Sequence, residues 1–96
     1  MSRESFEWDP VKDRRNSDKH GVSFAEAQYA FADPRRVIAR DRSHSHDEPH
    51  YYCMGKVDNR ILTVRFTWRG ETIRIIGAGY WRKGKQIYER ENNLHR

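Results

Sequence analysis

The polar stretch between residues 41 and 50 concentrates the side chains most able to move protons. It holds three histidines and three carboxylates: Asp41, His44, His46, Asp47, Glu48 and His50. Histidine titrates near neutrality and can act as a base or an acid, and Glu48 can act as a base if its pKa is raised. Such a set suits phosphodiester cleavage by a 2′-hydroxyl, which needs a base, a proton donor and cations for the developing charge.

Two other interpretations of this stretch stay open. The pattern His-x-His beside carboxylates has metal-ligand chemistry, and a metal-binding domain would retain Zn²⁺ on purification. The spacing matches no recognised metal motif, however, so we expect no metal and no other cofactor. Asp and Ser side chains also organise turns, and residue types alone favour a solvated polar loop.

Cations that suit phosphate binding lie further along the chain. Arg65, Arg69 and Arg74 fall on predicted strands, where a guanidinium can grip phosphate at fixed geometry. The alternative is cross-strand pairing or solvation. Between residues 60 and 88, however, Glu71 is the only acidic residue, so full neutralisation within this region is not expected.

The segment Tyr80–Lys85 interleaves aromatic and cationic side chains. Trp81 suits stacking on a nucleic-acid base, and the neighbouring cations suit phosphate contact. The equally weighted alternative is that the aromatic rings pack the end of a sheet while the cations are solvated.

Charge is unevenly distributed along the 96 residues, whose formal net charge is +5. Residues 1–59 hold 10 Lys and Arg against 11 Asp and Glu, whereas residues 60–96 hold 9 against 3. This asymmetry indicates a polyanion or an acidic protein as partner of the C-terminal part. A solvated charged face is the alternative.

Helix signals fill the N-terminal third. Asp9-Pro10 begins a first helix, which ends at His20-Gly21. Its few apolar residues predict that it packs lightly or lies over an edge. The capping box Ser23–Glu26 begins a second helix, which ends before Asp33-Pro34.

Strand signals fill the rest of an α+β domain. The clearest alternation of apolar and polar residues runs from Leu62 to Arg69, which is typical of a half-buried strand. In the next strand, Ile73, Ile75 and Gly77 are expected on one face. Strands are predicted at residues 6–8, 37–39, 50–57, 62–69 and 73–78, with a terminal helix at 83–93.

Length predicts a single domain over residues 1–96. The sequence has no apolar run long enough to cross a membrane and no signal-peptide core. Its one cysteine, Cys53, fits a reducing compartment and a place in the core. We therefore expect a cytoplasmic protein without a membrane partner.

A long series of residues shares its order and spacing with a known group of proteins. It begins with Phe6–Pro10, Asn16 and Lys19–Ala27 and continues through Asp33-Pro34, Asp41, His44-Ser45, Glu48, Gly55, Phe66-Thr67, Arg69 and Ile73–Ile76. The series resembles BrnT-family toxins, and the likeness covers roughly residues 5–90 with few gaps, which is far more specific than a short motif.

The resemblance implies a RelE-like fold, in which two N-terminal helices pack on a four-stranded antiparallel sheet with a short N-terminal strand and a C-terminal helix. It also implies a ribonuclease that arrests translation. The implied partners are RNA and a cognate BrnA-like antitoxin with a ribbon-helix-helix DNA-binding region, through which the toxin reaches operator DNA only indirectly. We expect a homodimer or a heterotetramer with the antitoxin.

The sequence also departs from the family pattern. Many members continue the last strand as Ile-Ser-Ala-Arg, but here Gly77-Ala78-Gly79 leaves no arginine at 79. Lys85-Gln86 stands where Glu-Arg is usual, and His50 stands where a basic residue often follows Glu48. These changes keep open a catalytically weak or inactive module of the same fold that binds RNA or protein.

The residues and the resemblance together predict a metal-independent endoribonuclease. Glu48 and His50 are predicted to transfer protons, with His44 as a substitute, and Arg74 is predicted to act at the phosphate. The predicted RNA-binding residues are Arg65, Arg69, Trp81, Arg82, Lys83 and Lys85.

Overall fold

The computed structural model describes residues 5–44 and 47–94, apart from the side chain of His44. Five strands, three α-helices and two short 3₁₀ segments follow one another. In chain order they are β1 (Ser5–Glu7), α1 (Pro10–His20), α2 (Phe24–Ala27), a 3₁₀ segment (Gln28–Ala32), β2 (Val37–Asp41), a 3₁₀ turn (Arg42–His44), β3 (His50–Val57), β4 (Arg60–Arg69), β5 (Thr72–Gly79) and α3 (Arg82–Glu91). None of these helices has the length and apolarity needed to cross a membrane.

One mixed sheet contains all five strands in the order β1-β5-β4-β3-β2. Strands β2 to β5 form the predicted antiparallel meander. The short N-terminal strand does not stand apart from it, because β1 pairs parallel to β5, with Phe6 opposite Ile73. The prediction of an α+β domain is therefore confirmed, whereas the sheet has five strands rather than four.

Helix α1 begins and ends as predicted and covers part of a sheet edge. The Asp9 carboxylate accepts a hydrogen bond from the Val11 amide at 2.8 Å, and Gly21 ends the helix with a left-handed φ of 70°. No residue of α1 is buried. Beyond the end of β1, the side chain of Asn16 makes the backbone hydrogen bonds that a neighbouring strand would make to β5. Its amide nitrogen donates to the Ala78 carbonyl at 2.9 Å, and its amide oxygen accepts from the Ala78 backbone N–H at 3.1 Å.

Helix α2 starts at the predicted capping box but lasts only four residues. The chain then tightens into a 3₁₀ segment, which places Ala30 and Phe31 against the sheet. Ala30 lies so close to β3 that a Cβ on Gly55 would collide with its carbonyl group. This contact explains why residue 55 is a glycine. The same close approach accompanies the change from the α-helix to the 3₁₀ segment, so the second α-helix does not continue to Asp33.

An irregularity in β5 changes which of its residues share a face, so one prediction about this strand is wrong. Arg65 of β4 pairs with Gly77, but the next residue, Phe66, pairs with Ile75. One residue of β5 is therefore extra, and the alternation of side chains reverses there. Ala78, not Gly77, joins Ile73 and Ile75 in the core, so the predicted grouping of Gly77 with the two isoleucines is wrong.

Helix α3 packs over the sheet face opposite to α2. Gly84 lies against Thr63 so closely that a side chain at 84 would collide with the threonine hydroxyl. Four residues later, the Tyr88 hydroxyl donates to the Asp33 carboxylate at 2.7 Å. The helix is thus fixed both to the sheet and to the loop before β2.

Candidate functional site

A groove of about 1110 Å³ lies on the face of the sheet that α2 leaves uncovered. Strands β2 to β5 contribute its floor, and residues of α1 and α3 line it as well. We call it the basic groove, because seven of its lining residues are cationic: Lys12, Arg15, Lys19, Arg40, Arg42, Arg65 and Lys83. The guanidinium of Arg40 is directed away from the groove, since it lies over the Tyr51 ring on the other face of the sheet.

The basic groove has almost no acidic lining. Among the described residues, Asp41 is the one carboxylate that lines it, and Asp41 is 3% exposed. Such an excess of positive charge in a concave surface attracts a polyanion.

Most of the groove's cations come from the N-terminal part, where positive and negative charges nearly cancel along the sequence. In the folded structure these charges do not neutralise one another, because several carboxylates of this part accept hydrogen bonds from amides at the starts of helices. Asp9 caps α1, Asp13 accepts from the Phe24 amide at 2.8 Å, and Glu26 completes the capping box.

The floor of the groove centres on Arg65. Its register partner on β3 is Tyr52, whose own partner on β2 is Ala39. Burial raises the pKa of the Tyr52 hydroxyl, the charge of Asp41 and a hydrogen bond to it raise it further, and the charge of Arg65 opposes them. The Nε atom of Arg65 is shielded from solvent and has no hydrogen-bond partner among the described residues. Nε is therefore out of a ligand's reach in this conformation, and only the terminal nitrogens of the guanidinium could donate to a bound acceptor such as a phosphate oxygen.

A second group of charged side chains, the Glu48 cluster, consists of Glu7, Glu48, His50, Arg69 and Arg74. The Glu48 carboxylate lies 3.2 Å from the Arg69 guanidinium and 3.5 Å from His50 Nε2. Arg74 lies 2.9 Å from the Glu7 carboxylate, across the parallel pair of β1 and β5. Both arginines of the cluster therefore have a carboxylate partner.

Arg69 keeps Glu48 in its ionised form. The hydrogen bond from Arg69 has the largest effect and lowers the pKa of Glu48. Burial raises this pKa by less, and a hydrogen bond from His50 adds a further small lowering. The condition under which Glu48 was expected to act as a base, a raised pKa, is therefore not met. A carboxylate in this state suits orienting His50 better than accepting a proton itself.

His50 connects the two regions. It begins β3 directly opposite Asp41, the carboxylate of the basic groove. Residues paired in this way have their Cβ atoms about 5 Å apart. His50 therefore lies beside the groove without lining it, and Glu48 contacts its imidazole from the cluster.

The structure divides the predicted site residues into three groups. Arg65, Trp81 and Lys83 line the basic groove, whereas Glu48, His50, Arg69 and Arg74 form the Glu48 cluster. Arg82 and Lys85 are exposed on α3 and are not among the residues that line the groove. The side chain of His44 and the whole of His46 lie outside the described residues.

Five of the cationic residues that line the groove were not among the RNA-binding residues predicted from the sequence. Lys12, Arg15 and Lys19 recur at positions i, i+3 and i+7, which places them on one face of α1. That spacing is a signal visible in the sequence. Arg40 and Arg42 carry no such signal, because their positions depend on where β2 ends and the 3₁₀ turn begins.

The acidic and histidine side chains within residues 5–44 and 47–94 form no group of three or more that is arranged to hold a metal ion. This observation concerns only that part of the chain, which excludes His46 and the side chain of His44.

The fold and the groove define a small α+β domain with a concave polycationic surface. Residues 8–84 match the family described as the ribonuclease toxin, BrnT, of type II toxin–antitoxin systems. A search of curated proteins finds no match. Because the family match covers more than half of the chain, the chain belongs to the BrnT family of ribonuclease toxins. The family makes RNA the substrate class and an antitoxin the partner.

Proposed function

We propose that the chain is an endoribonuclease that cleaves RNA bound in the basic groove, requires no metal and thereby arrests translation. The observation that carries this proposal is the charge of the groove, whose described lining holds six lysines and arginines besides Arg40, and the single carboxylate of Asp41. RNA presents one negative charge per phosphate, and neutralising these charges supplies most of the affinity of such complexes.

Arg65 is the residue proposed to hold the phosphate that is cleaved. It lies on the floor of the groove, and none of the described carboxylates forms an ion pair with it. A guanidinium donates parallel hydrogen bonds to two phosphate oxygens and stabilises the charge that develops on them. Lys12, Arg15 and Lys83 would then hold neighbouring phosphates along the groove.

His50 is proposed to accept the proton of the attacking 2′-hydroxyl. Histidine suits this task near neutral pH. Its Nδ1 is shielded from solvent, so Nε2 is the nitrogen proposed to take the proton, and Glu48, 3.5 Å from it, would hold the ring in position. The oxygen of the 2′-hydroxyl then attacks phosphorus, the bond to the 5′-oxygen breaks, and the proton returns to that oxygen. His44, next to the groove residue Ser43 in the chain, remains the proposed substitute for His50.

The antitoxin is proposed to be a ribbon-helix-helix protein that covers the basic groove with an acidic segment. The RelE-like classification, the cytoplasmic location and the assembly, as a homodimer or as a heterotetramer with the antitoxin, belong to the same proposal. Its support is that the charge attracting RNA attracts acidic protein segments equally well.

A second candidate function is a module that binds RNA or protein without cutting RNA. The observation that favours it is the pairing of Arg69 and Arg74 with Glu48 and Glu7. With no arginine at position 79 either, the transition state would receive less positive charge from this part of the sheet.

Incubation of the purified chain with RNA in the presence of EDTA separates the two candidates. We expect cleavage by the wild type, loss of cleavage in His50→Ala and Arg65→Ala, and normal cleavage in Arg82→Ala, whose side chain is exposed on α3. Intact RNA with saturable, salt-sensitive binding would support the binding module instead. Absence of both cleavage and binding would contradict both candidates.

A further inference from the structure

Trp81 is an exposed aromatic side chain in a groove of cations. It lines the basic groove directly before α3, and 41% of its surface is exposed. Lys19 and Lys83 line the same groove. A flat ring flanked by positive charges is the arrangement with which proteins hold a nucleobase and its adjoining phosphates.

The ring of Trp81 occupies the space that a side chain at position 79 would need. A Cβ built on Gly79 would stand 2.7–2.9 Å from three atoms of the indole, closer than a carbon atom can approach without displacement. Gly79 does not have a positive φ, so its backbone does not require glycine. A side chain at 79 would displace the indole, so glycine is what lets the ring lie in this position.

His20 supports the ring from α1. The two ring centroids are 5.1 Å apart and the planes are inclined by 75°, an edge-to-face contact. Aromatic pairs prefer this geometry over face-to-face stacking. The indole is therefore held between the end of β5 and the end of α1, and little conformational freedom remains for a ligand to remove.

From this geometry we infer that Trp81, placed by Gly79 and His20, is a stacking platform for one unpaired base. The substrate is accordingly single-stranded RNA, or an unpaired stretch of a folded RNA. In a duplex the bases stack on one another and their faces are covered, so a platform of this kind binds only a base that has left the stack. The inference rests on the proposed function, because it assumes that RNA enters the basic groove.

The test measures binding of a short single-stranded RNA whose 2′-hydroxyls are methylated, so that it cannot be cleaved by its own 2′-oxygen. We expect the wild type to prefer it to the corresponding duplex. Trp81→Ala is expected to bind the single strand about 5- to 150-fold more weakly, the range measured for removal of one stacked base contact. Trp81→Phe should restore much of this loss, since it keeps a ring.

Trp68→Ala is the matched control. Trp68 is also an exposed tryptophan, at 45%, but it contacts Phe66 on the other face of the sheet and does not line the groove. We expect its affinity for the single strand to equal that of the wild type. Thermal unfolding of each variant shows whether its fold is intact.

A set of single strands, each with one abasic position, locates the stacked base. One abasic position should weaken binding to the wild type and have no effect on Trp81→Ala. Equal affinity for single strand and duplex, or wild-type binding by Trp81→Ala, would overturn this inference while leaving the proposed function intact. No binding of any RNA by the wild type would overturn the proposed function itself.

Discussion

The basic groove and the Glu48 cluster lie on the same face of one sheet and differ in how their cations are partnered. In the cluster, Arg69 and Arg74 each lie within 3.2 Å of a carboxylate oxygen. In the groove, six lysines and arginines besides Arg40 share the single carboxylate of Asp41 among the described lining residues. An arginine can therefore be judged as a candidate RNA ligand only when it is known whether a carboxylate of the same protein already binds it. The groove is suited to hold RNA, and the cluster is suited to position His50.

The largest effect is expected from His50, which joins the two regions. Replacing a general base lowers the rate by about 10²–10⁴-fold, so His50→Ala should lower kcat by that factor with little change in KM. Glu48→Gln should have a smaller effect, because it removes only the orienting carboxylate. Cleavage assays at saturating RNA measure both. A Glu48→Gln variant more damaged than His50→Ala would make Glu48 the base and reverse their assigned roles.

The next largest effect on the cleavage rate is expected when an arginine of the basic groove is replaced, and an arginine of the Glu48 cluster serves as the comparison. Arg65→Ala should lower the cleavage rate by about 10²–10³-fold, the usual loss when one group that stabilises the transition state is removed. Arg65→Lys should recover part of it, because lysine keeps the charge but not the paired donors. Arg74→Ala should cost less, since Glu7 already engages that guanidinium. A larger loss in Arg74→Ala would place the cleaved phosphate in the Glu48 cluster.

A smaller effect is expected in the salt dependence of RNA binding. Lys12→Ala and Arg15→Ala should each weaken binding and reduce the slope of log K against log salt by about 1, as loss of one phosphate contact does. Arg69→Ala, outside the groove, should leave the slope unchanged. Binding titrations at several salt concentrations measure the slope. Equal slopes for all three variants and the wild type would contradict the assignment of RNA to the groove.

The smallest effect concerns the helix at the side of the groove. Tyr88→Phe removes the hydrogen bond from α3 to Asp33 and should lower the free energy of unfolding by about 1.5 kcal/mol. It should leave the Glu48 cluster intact, because none of the cluster residues lies on α3. Denaturant unfolding measures the loss, and Tyr29→Phe, whose side chain is 66% exposed, is the control.

The same hydrogen bond predicts a pH dependence of stability. Burial, followed by the hydrogen bond to Asp33 and its charge, raises the pKa of Tyr88 from 10.0 to about 12. The folded state therefore resists ionisation of this tyrosine, and the stability it contributes is complete below pH 10 and is lost as the pH rises to about 12. Unfolding curves across this range should lack that decline in Tyr88→Phe. Identical pH profiles for both proteins would contradict the assigned hydrogen bond.

Local signals predicted much of the fold. The cap at Asp9, the end of α1 at Gly21 and the capping box at Ser23 depend on neighbouring residues, and all three are present. The parallel pairing of β1 with β5 was not predicted, because it joins residues about 67 positions apart and no local pattern encodes it. The bulge in β5 was missed for a different reason: it lies in the β4–β5 hairpin, and regular alternation of apolar and polar residues does not show where an extra residue enters a strand.

Charge along the sequence predicted a polyanion partner but not its location. The C-terminal part was expected to bind it, yet only Arg65 and Lys83 of the groove cations belong to that part. Of the other C-terminal arginines on the strands, Arg69 and Arg74 meet carboxylates from elsewhere in the sequence. Arg60 lies over the ring of Tyr80. Which charges cancel is decided by tertiary contacts, and a count along the chain does not contain them.

The bond between Asn16 and Ala78 has a consequence for the order of folding. It spans 62 residues and holds α1, with its groove cations, against the last strand. Contacts of such long range form late, after the intervening chain has been ordered. During synthesis α1 leaves the ribosome long before β5 does. An N-terminal fragment that lacks β5 therefore lacks part of the groove, and the groove should be absent from the nascent chain until β5 has been synthesised.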